Sequence, residues 1–264
     1  TYVGTLHSGG EQPAMAAVIV CVGCLFVSFW LHRGQRGLGA EIFKKRMIPG
    51  ILRLLEPRLV YVPAAGISRE EFCKSGLFPR PDRYASKDLF VGRIDGKRAR
   101  FSLVHAEEKR ERRVHDGNGR TRTETYYQTI FQGVLFIAES PRRFSEDLYL
   151  FSGGLHLRNR IHMEHPEFNR LFKVVGRNLQ EAFYLLTPDF MERLLALRRQ
   201  LNKPFQAAFV EGRIHIAFPG SFQLFDPPLS RAGSNPGFSN KFLRTWGVIT
   251  AAPNWFELPR PALR

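Results

Sequence analysis

An uncharged run of 18 residues, 14–31, constrains this chain more than any other feature. As a helix that rises about 1.5 Å per residue it would be roughly 27 Å long, close to a hydrocarbon core of about 30 Å. Trp30 lies at one end, where an indole suits the headgroup region. A signal peptide is the alternative, but no Lys or Arg precedes the run and no small-residue cleavage site follows it. The sequence therefore predicts a transmembrane helix over residues 14–31.

Charges on the two sides of the predicted span indicate its orientation. Residues 1–13 contain no Lys or Arg, whereas residues 33–58 contain seven against two Glu. Cationic segments resist translocation, and acidic ones matter little. We therefore expect the N-terminal segment 1–13 outside the membrane and everything after residue 31 in the cytoplasm.

Composition indicates one ordinary domain behind the predicted anchor. The chain is 44% hydrophobic and contains 23 Phe, which is enough apolar surface for a core. Its net charge of +15 suits an anionic partner, although part of that charge belongs to the segment next to the span. Cys21 and Cys24 lie inside the span and only Cys73 lies outside it, so no structural disulfide is expected.

Residues 32–58 are predicted to form a glycine-containing joint followed by an amphipathic helix. Phe43, Met47, Ile51 and Leu55 recur every four residues and form an apolar stripe. This helix could lie on an anionic membrane surface or dock on its own domain. The basic residues assigned to the membrane surface are Arg33, Arg36, Lys44, Lys45 and Arg46.

Residues 59–225 are predicted to form an α+β domain with a mainly antiparallel sheet and several packed helices. Strands are expected at 89–94 and 98–106, and a long hairpin should return through 126–138. The sequence Ser68 to Glu71 is a capping box, and helices should begin after Asn178 and Thr187. Residues 205–210 and 213–218 should form a final hairpin.

The polar segment of the long hairpin resembles a nucleic-acid-binding finger in its basic content. Residues 107–124 hold six Lys or Arg and five Asp or Glu, however. Phosphate binding needs an uncompensated positive field, whereas mixed signs suit pairs across two strands. A nucleic-acid partner is therefore not expected.

His162, Glu164 and His165 are the residues most similar to a metal site. Two histidines and a carboxylate could share an ion on a helical turn, but Pro166 disfavours helix at His165 and no third histidine has a usual spacing. Ordinary loop histidines are the competing interpretation. No metal and no cofactor is predicted.

From residue 226 the sequence becomes rich in Pro, Gly, Ser and Asn, and Trp246, Trp255 and Phe256 are set in it. These large side chains need an apolar surface, on the chain's own domain or on a partner, where Trp is a favoured anchor. The three residues are predicted partner-binding residues of a tail that covers 226–264.

Five blocks of sequence occur in an order typical of one family. They read FKKRMIPGILRLLEPRLVYVP, GISREEFCKSGLF, DRYASKDLFVGRIDGKRARFSLVHAE, IFQGVLFIAE and FKVVGRNLQEAFYLLTPDFMERLLAL. Over residues 41–225 the chain thereby resembles the bacterial membrane proteins known as domain of unknown function 3137, while the tail after Asp226 departs from that pattern. The resemblance implies a cytoplasmic domain behind paired membrane helices, which is consistent with a first helix missing before Thr1. It also implies genes near those of LemA-like membrane proteins, and it provides no catalytic residues.

The sequence contains none of the common catalytic or nucleotide-binding motifs outside the predicted span. We therefore expect an interaction or scaffold module, an accessory subunit of a larger membrane assembly in the bacterial inner membrane, rather than an enzyme. The alternatives are a metal-dependent enzyme that uses His162, Glu164 and His165, and a module that binds anionic lipid.

Overall fold

The computed structural model describes residues 43–55, 57–94, 96–115, 121–140, 143–152, 159–221 and 224–226. The predicted transmembrane helix over 14–31, the N-terminal segment 1–13 and the tail after 226 lie outside these ranges. No helix within them is long and apolar enough to cross a membrane.

One antiparallel sheet of nine strands dominates the described residues, with the order β1-β2-β3-β4-β9-β8-β5-β7-β6. Its two longest strands form a hairpin, and the sheet continues from that hairpin in both directions. The strands are β1 (Leu59–Val62), β2 (Arg83–Ile94), β3 (Lys97–His115), β4 (Thr121–Glu139), β5 (Leu148–Ser152), β6 (Arg160–Ile161), β7 (Phe172–Gly176), β8 (Gln206–Val210) and β9 (Arg213–Pro219).

Helices occupy both faces of this sheet. A π-helical segment (Phe43–Met47) leads into the first α-helix. The α-helices are α1 (Ile48–Leu55), α2 (Arg69–Lys74), α3 (Pro166–Leu171), α4 (Leu179–Leu185) and α5 (Pro188–Leu201).

Side-chain caps begin three of the helices where the sequence predicts them. The Ser68 hydroxyl accepts a hydrogen bond from the backbone N–H of Glu71 at 3.2 Å, and the Asn178 side chain caps α4 in the same way. Thr187 caps α5, and Pro188 occupies its first turn. Each cap satisfies one of the free N–H groups at a helix start, which fixes where the helix begins.

Two apolar clusters lie on opposite faces of the sheet. The larger one joins the sheet to α1, α3, α4 and α5, and the smaller one packs around Phe72 of α2. Ile48, Ile51 and Leu52 of α1 are buried in the larger cluster. Of the two predicted placements for this helix, the structure therefore shows docking on its own domain.

The fold is mainly β rather than α+β, which corrects the predicted class while confirming the antiparallel sheet. The strands are longer than their apolar runs, because β2 begins at Arg83 and the β3–β4 ladder extends to His115 and Thr121. Apolar periodicity marks only the buried part of a strand, so only the mixed charges of the polar extension indicated that it pairs across two strands.

Gly133 permits the close approach of β4 and β9 at the centre of the sheet. Its φ of +153° suits glycine, and a Cβ there would overlap the carbonyl oxygen of Phe218. Because the obstructing atom is backbone, no side-chain movement could relieve the overlap.

Candidate interaction surfaces and a buried ion-pair cluster

The hairpin of β3 and β4 extends beyond the rest of the sheet as a two-stranded ribbon. Nine residue pairs, from Glu107 with Thr129 to His115 with Thr121, continue the ladder after β4 has left β9 at Gly133. Only the first of them has a third strand beside it, because Glu107 also pairs with Arg83 of β2. At about 3.4 Å per residue this part is roughly 30 Å long. We call residues 107–115 and 121–129 the arm.

A β-bulge separates the arm from the buried part of the same two strands. Ala106 pairs with Phe131, but the next residue, Glu107, pairs with Thr129, so Ile130 is an extra residue on β4. A bulge bends the strand and increases its local twist. The arm is therefore set off from the sheet by a defined backbone feature.

Ion pairs across and along the strands organise one face of the arm. Glu124 accepts from Arg112 at 3.0 Å and from Arg122 at 2.5 Å, and Glu108 pairs with Arg110 at 2.7 Å. The hydrogen bond from Arg112, followed by that from Arg122, holds the pKa of Glu124 below its ordinary value against the opposing effect of burial. These internal pairs compensate the charges of the arm.

Two exposed tyrosines lie on opposite faces of the arm. Tyr126 is 42% exposed and Tyr127 is 37% exposed. The guanidinium of Arg83 lies 3.3 Å from the centre of the Tyr127 ring, and that of Arg112 lies 5.9 Å from the Tyr126 ring. Exposed aromatic side chains stacked by arginine are typical of binding surfaces.

A buried ion-pair cluster lies near the edge of the sheet, where three distant parts of the chain meet. The fully buried carboxylate of Asp88 accepts from Lys44 at 2.9 and 3.0 Å and from the Tyr61 hydroxyl at 2.5 Å. The Lys44 ammonium also pairs with Asp226 at 2.6 Å, and Asp226 pairs with Lys87 at 2.8 Å. Two carboxylates and two ammonium groups therefore form one continuous network.

The backbone of β2 places the Asp88 carboxylate in this cluster. The strand register shifts between Lys87 and Phe90, and Asp88 adopts a φ of +58° at this irregularity. Its N–H donates to the carbonyl of Pro63 at 3.0 Å. Aspartate tolerates the left-handed conformation better than most residues, which explains this residue type at the bulge.

Hydrogen bonds within the cluster favour the charged forms of Lys44 and Asp226. Burial alone lowers the pKa of Lys44, but the hydrogen bonds to Asp226 and Asp88 outweigh it and raise the pKa above its ordinary value. For Asp226, burial raises the pKa, and the hydrogen bonds from Lys44 and Lys87 more than reverse this. Burial, followed by the hydrogen bond to Asp88, raises the pKa of Tyr61, so its hydroxyl remains a donor.

The basic residues predicted to meet the membrane surface differ in their contacts and exposure. Lys44 pairs with two carboxylates of the domain, whereas Lys45 and Arg46 are exposed. Arg33 and Arg36 lie outside the described residues. Contact of Lys45 and Arg46 with lipid stays a prediction.

His162, Glu164 and His165 do not form a joint site. His165 is the N-cap of α3, where its Nδ1 accepts from the N–H of Phe168 at 3.3 Å, and its Nε2 lies 2.7 Å from Glu192. Both ring nitrogens are therefore engaged. His162 and Glu164 are exposed. In the part of the chain that the structure describes, no three His, Cys, Asp or Glu side chains are grouped as metal ligands would be.

His215 is a buried polar residue that the sequence analysis missed. It lies in β9, is 3% exposed, and its Nδ1 has no hydrogen-bond partner among the described residues. Burial, with smaller effects of Arg213 and Arg100, lowers its pKa to about 4. Alternation places His215 on the face opposite Ile214 and Ile216, where a polar residue is expected to meet solvent, but both faces of β9 are buried, so the sequence pattern did not indicate the burial of His215.

The predicted partner-binding residues Trp246, Trp255 and Phe256 lie outside the described residues. The structure does describe the point from which their segment continues. Leu224 and Phe225 are buried in the larger apolar cluster, and Asp226 belongs to the ion-pair cluster. Residues 224–226 are therefore part of the domain.

Comparison with protein families gives a match to the family described as a protein of unknown function, DUF3137, over residues 129–251. This match supports membership of that family. No curated protein and no solved structure matches the chain. The match begins near the C-terminal half of β4 and continues past Asp226 to include Trp246. This corrects the expectation that the tail departs from the family pattern after Asp226, because residues 227–251 fall within the match.

Proposed function

We propose that this DUF3137 protein is a membrane-anchored scaffold or accessory subunit, and that its tail docks on a membrane protein. The single observation that carries the proposal is the ion pair between Lys44 and Asp226 at 2.6 Å. Lys44 follows the predicted span closely in sequence, and Asp226 is the last described residue before the tail. The anchor segment and the tail therefore leave the domain from the same cluster.

This shared point keeps the start of the tail close to the membrane. Residues 32–43 separate Lys44 from the predicted span, and 12 residues reach at most about 40 Å when fully extended. A membrane partner would meet the tail at a high effective concentration, so contacts of modest affinity would hold a complex. Trp246, Trp255 and Phe256 are the anchors of this contact.

The proposed topology follows from the distribution of positive charge. Residues 1–13 lie outside the bacterial inner membrane, residues 14–31 cross it, and the domain lies in the cytoplasm. Protease added to sealed right-side-out vesicles should leave the domain intact. Digestion of the domain without lysis would contradict this orientation.

Truncation after Asp226 tests the docking proposal while preserving the ion-pair cluster. Extraction of the full chain in mild detergent should recover a membrane protein with it, and a chain that ends at Asp226 should recover much less. The matched control ends at Glu257, which removes the last seven residues but keeps all three aromatic anchors.

The outcomes separate the possible roles of the tail. A folded truncated chain that recovers the partner at the level of the control would refute docking by the tail. Loss of folding after truncation at Asp226 would show that the tail completes the domain core, which also contradicts the proposal. A Trp246→Ala, Trp255→Ala double variant should reproduce the truncation in a chain of full length.

A further inference from the structure

The outer edge of β4 in the arm has no neighbouring strand among the described residues. Residues 121–129 pair with β3 on one side only, since the ladder with β9 begins at Gly133. A two-stranded ribbon is marginally stable by itself in water, and an exposed edge is a template for another strand. Within the described part of the chain, the arm therefore presents an unfilled pairing position.

The sequence along this edge is complementary to itself in the antiparallel direction. Residues 121–125 read TRTET. A second copy aligned antiparallel about Thr123 places Arg122 opposite Glu124, Thr121 opposite Thr125, and Thr123 opposite its own equivalent. Opposite charges and Thr–Thr pairs are both favourable across antiparallel strands.

The other edge of the arm does not have this property. Residues 110–114 of β3 read RERRV. Antiparallel alignment of this edge with itself about Arg112 places two Arg112 side chains opposite each other, and alignment about Glu111 places Arg110 opposite Arg112. Like charges directly opposite are destabilising, so self-association favours the β4 edge.

We propose that the arm is a self-association element in which two copies of this chain pair through their β4 edges about a twofold axis at Thr123. The result is a four-stranded antiparallel sheet made of two arms. Glu124 of each copy then lies between its own Arg112 and Arg122 of the second copy. Both arginines are more than half exposed in the single chain, so they are accessible to this arrangement.

The geometry of the arm leaves room for both domains. Thr123 lies eight residues along β4 from Phe131, where the sheet begins, which corresponds to about 27 Å. Because the two β4 strands run in opposite directions, the two domains lie at opposite ends of the joined arms. This self-association goes beyond the proposed function and is independent of docking by the tail.

Charge reversal on the β4 edge tests the register. All variants carry Arg112→Thr, so that residue 112 favours neither charge at position 124. Energy transfer between two labelled populations of the full chain, reconstituted in the same phosphatidylcholine vesicles, measures association. Arg122→Glu alone and Glu124→Arg alone should each weaken association by about tenfold, because each places like charges opposite.

Two combinations should restore association. The double variant Arg122→Glu, Glu124→Arg is again self-complementary. A mixture of the Arg122→Glu chain with the Glu124→Arg chain places Glu opposite Arg at both positions of a mixed pair. Equal energy transfer for all variants, or failure of both combinations to recover it, would overturn the proposal.

Cross-linking at the proposed axis gives an independent result. Thr123→Cys, in a chain whose Cys21, Cys24 and Cys73 are replaced by Ala, should give a disulfide-linked dimer under mild oxidation. The control is Arg113→Cys, which is also exposed and lies directly opposite Thr123 on β3. Its two copies would be separated by three strand spacings, about 14 Å, too far for a disulfide. Equal cross-linking at the two positions, or none at Thr123→Cys, would contradict the assigned axis.

Discussion

The buried part of the β3–β4 hairpin and its arm form one ladder in two environments. In the buried part, which we call the root (99–106 and 131–138), Phe101 and Phe136 pack on one face while Val104 and Leu135 pack on the other. In the arm, most side chains are exposed and ion pairs join the strands. Burial orders the root, whereas cross-strand pairing orders the arm, so the arm sequence is free to serve recognition.

Root and arm should differ most in how far a substitution lowers the free energy of unfolding of the chain. Phe136→Ala should lower it by about 3–5 kcal/mol, because Phe136 is fully buried and the substitution leaves a cavity. Tyr126→Ala in the arm should change it by no more than about 0.5 kcal/mol. Chemical denaturation of the full chain in detergent measures both, and equal effects would contradict the distinction.

The free energy of unfolding should depend to a comparable extent on one side chain of the ion-pair cluster, which lies beside the root. Lys44→Met should lower the free energy of unfolding by about 3 kcal/mol, since it leaves the buried Asp88 carboxylate with the hydrogen bond from the Tyr61 hydroxyl but without its ammonium partner. Adding Asp88→Asn should recover part of this loss, because the uncompensated charge is removed. A double variant less stable than Lys44→Met would contradict this explanation.

His215, which lies opposite Ile137 of the root, should make unfolding dependent on pH. Its folded pKa of about 4 lies below the ordinary value of 6.5, so the unfolded chain binds the proton more readily. The resulting stability is complete above pH 6.5 and is lost as the pH falls towards 4, by at most about 3 kcal/mol. Unfolding curves of the wild type and His215→Leu between pH 7 and 4 measure it. If the free energy of unfolding of His215→Leu depended on pH as strongly as that of the wild type, other groups would be responsible for the dependence.

Asp226→Asn should lower the free energy of unfolding less than the substitution of Lys44 and the protonation of His215. Its carboxylate is partly exposed and Lys44 retains both contacts to Asp88, so we expect a loss of about 1 kcal/mol or less at neutral pH. The pKa of Asp226 is lowered, so its contribution is present above its ordinary pKa and disappears as the pH falls through the lowered value. A loss as large as that of Lys44→Met would show that Asp226 holds the cluster together.

The comparison of root and arm also explains what the sequence could predict. Apolar alternation in the root and the caps at Ser68, Asn178 and Thr187 depend on neighbouring residues, and all were predicted. The arm was expected to be a polar part of the hairpin, and its strand pairing could not be read from periodicity. Lys44 was assigned to the membrane surface because the carboxylates that bind it, Asp88 and Asp226, are distant in sequence.

The cluster at Asp88 has a consequence for the order of events during biosynthesis. Lys44 is synthesised first and Asp226 roughly 180 residues later, which takes about 10–35 s at ordinary rates of translation. Until then Lys44 can neutralise Asp88 but lacks its second carboxylate. The last contact of the cluster can therefore form only when nearly the whole domain has left the ribosome, and a nascent chain interrupted before residue 226 would leave that position open.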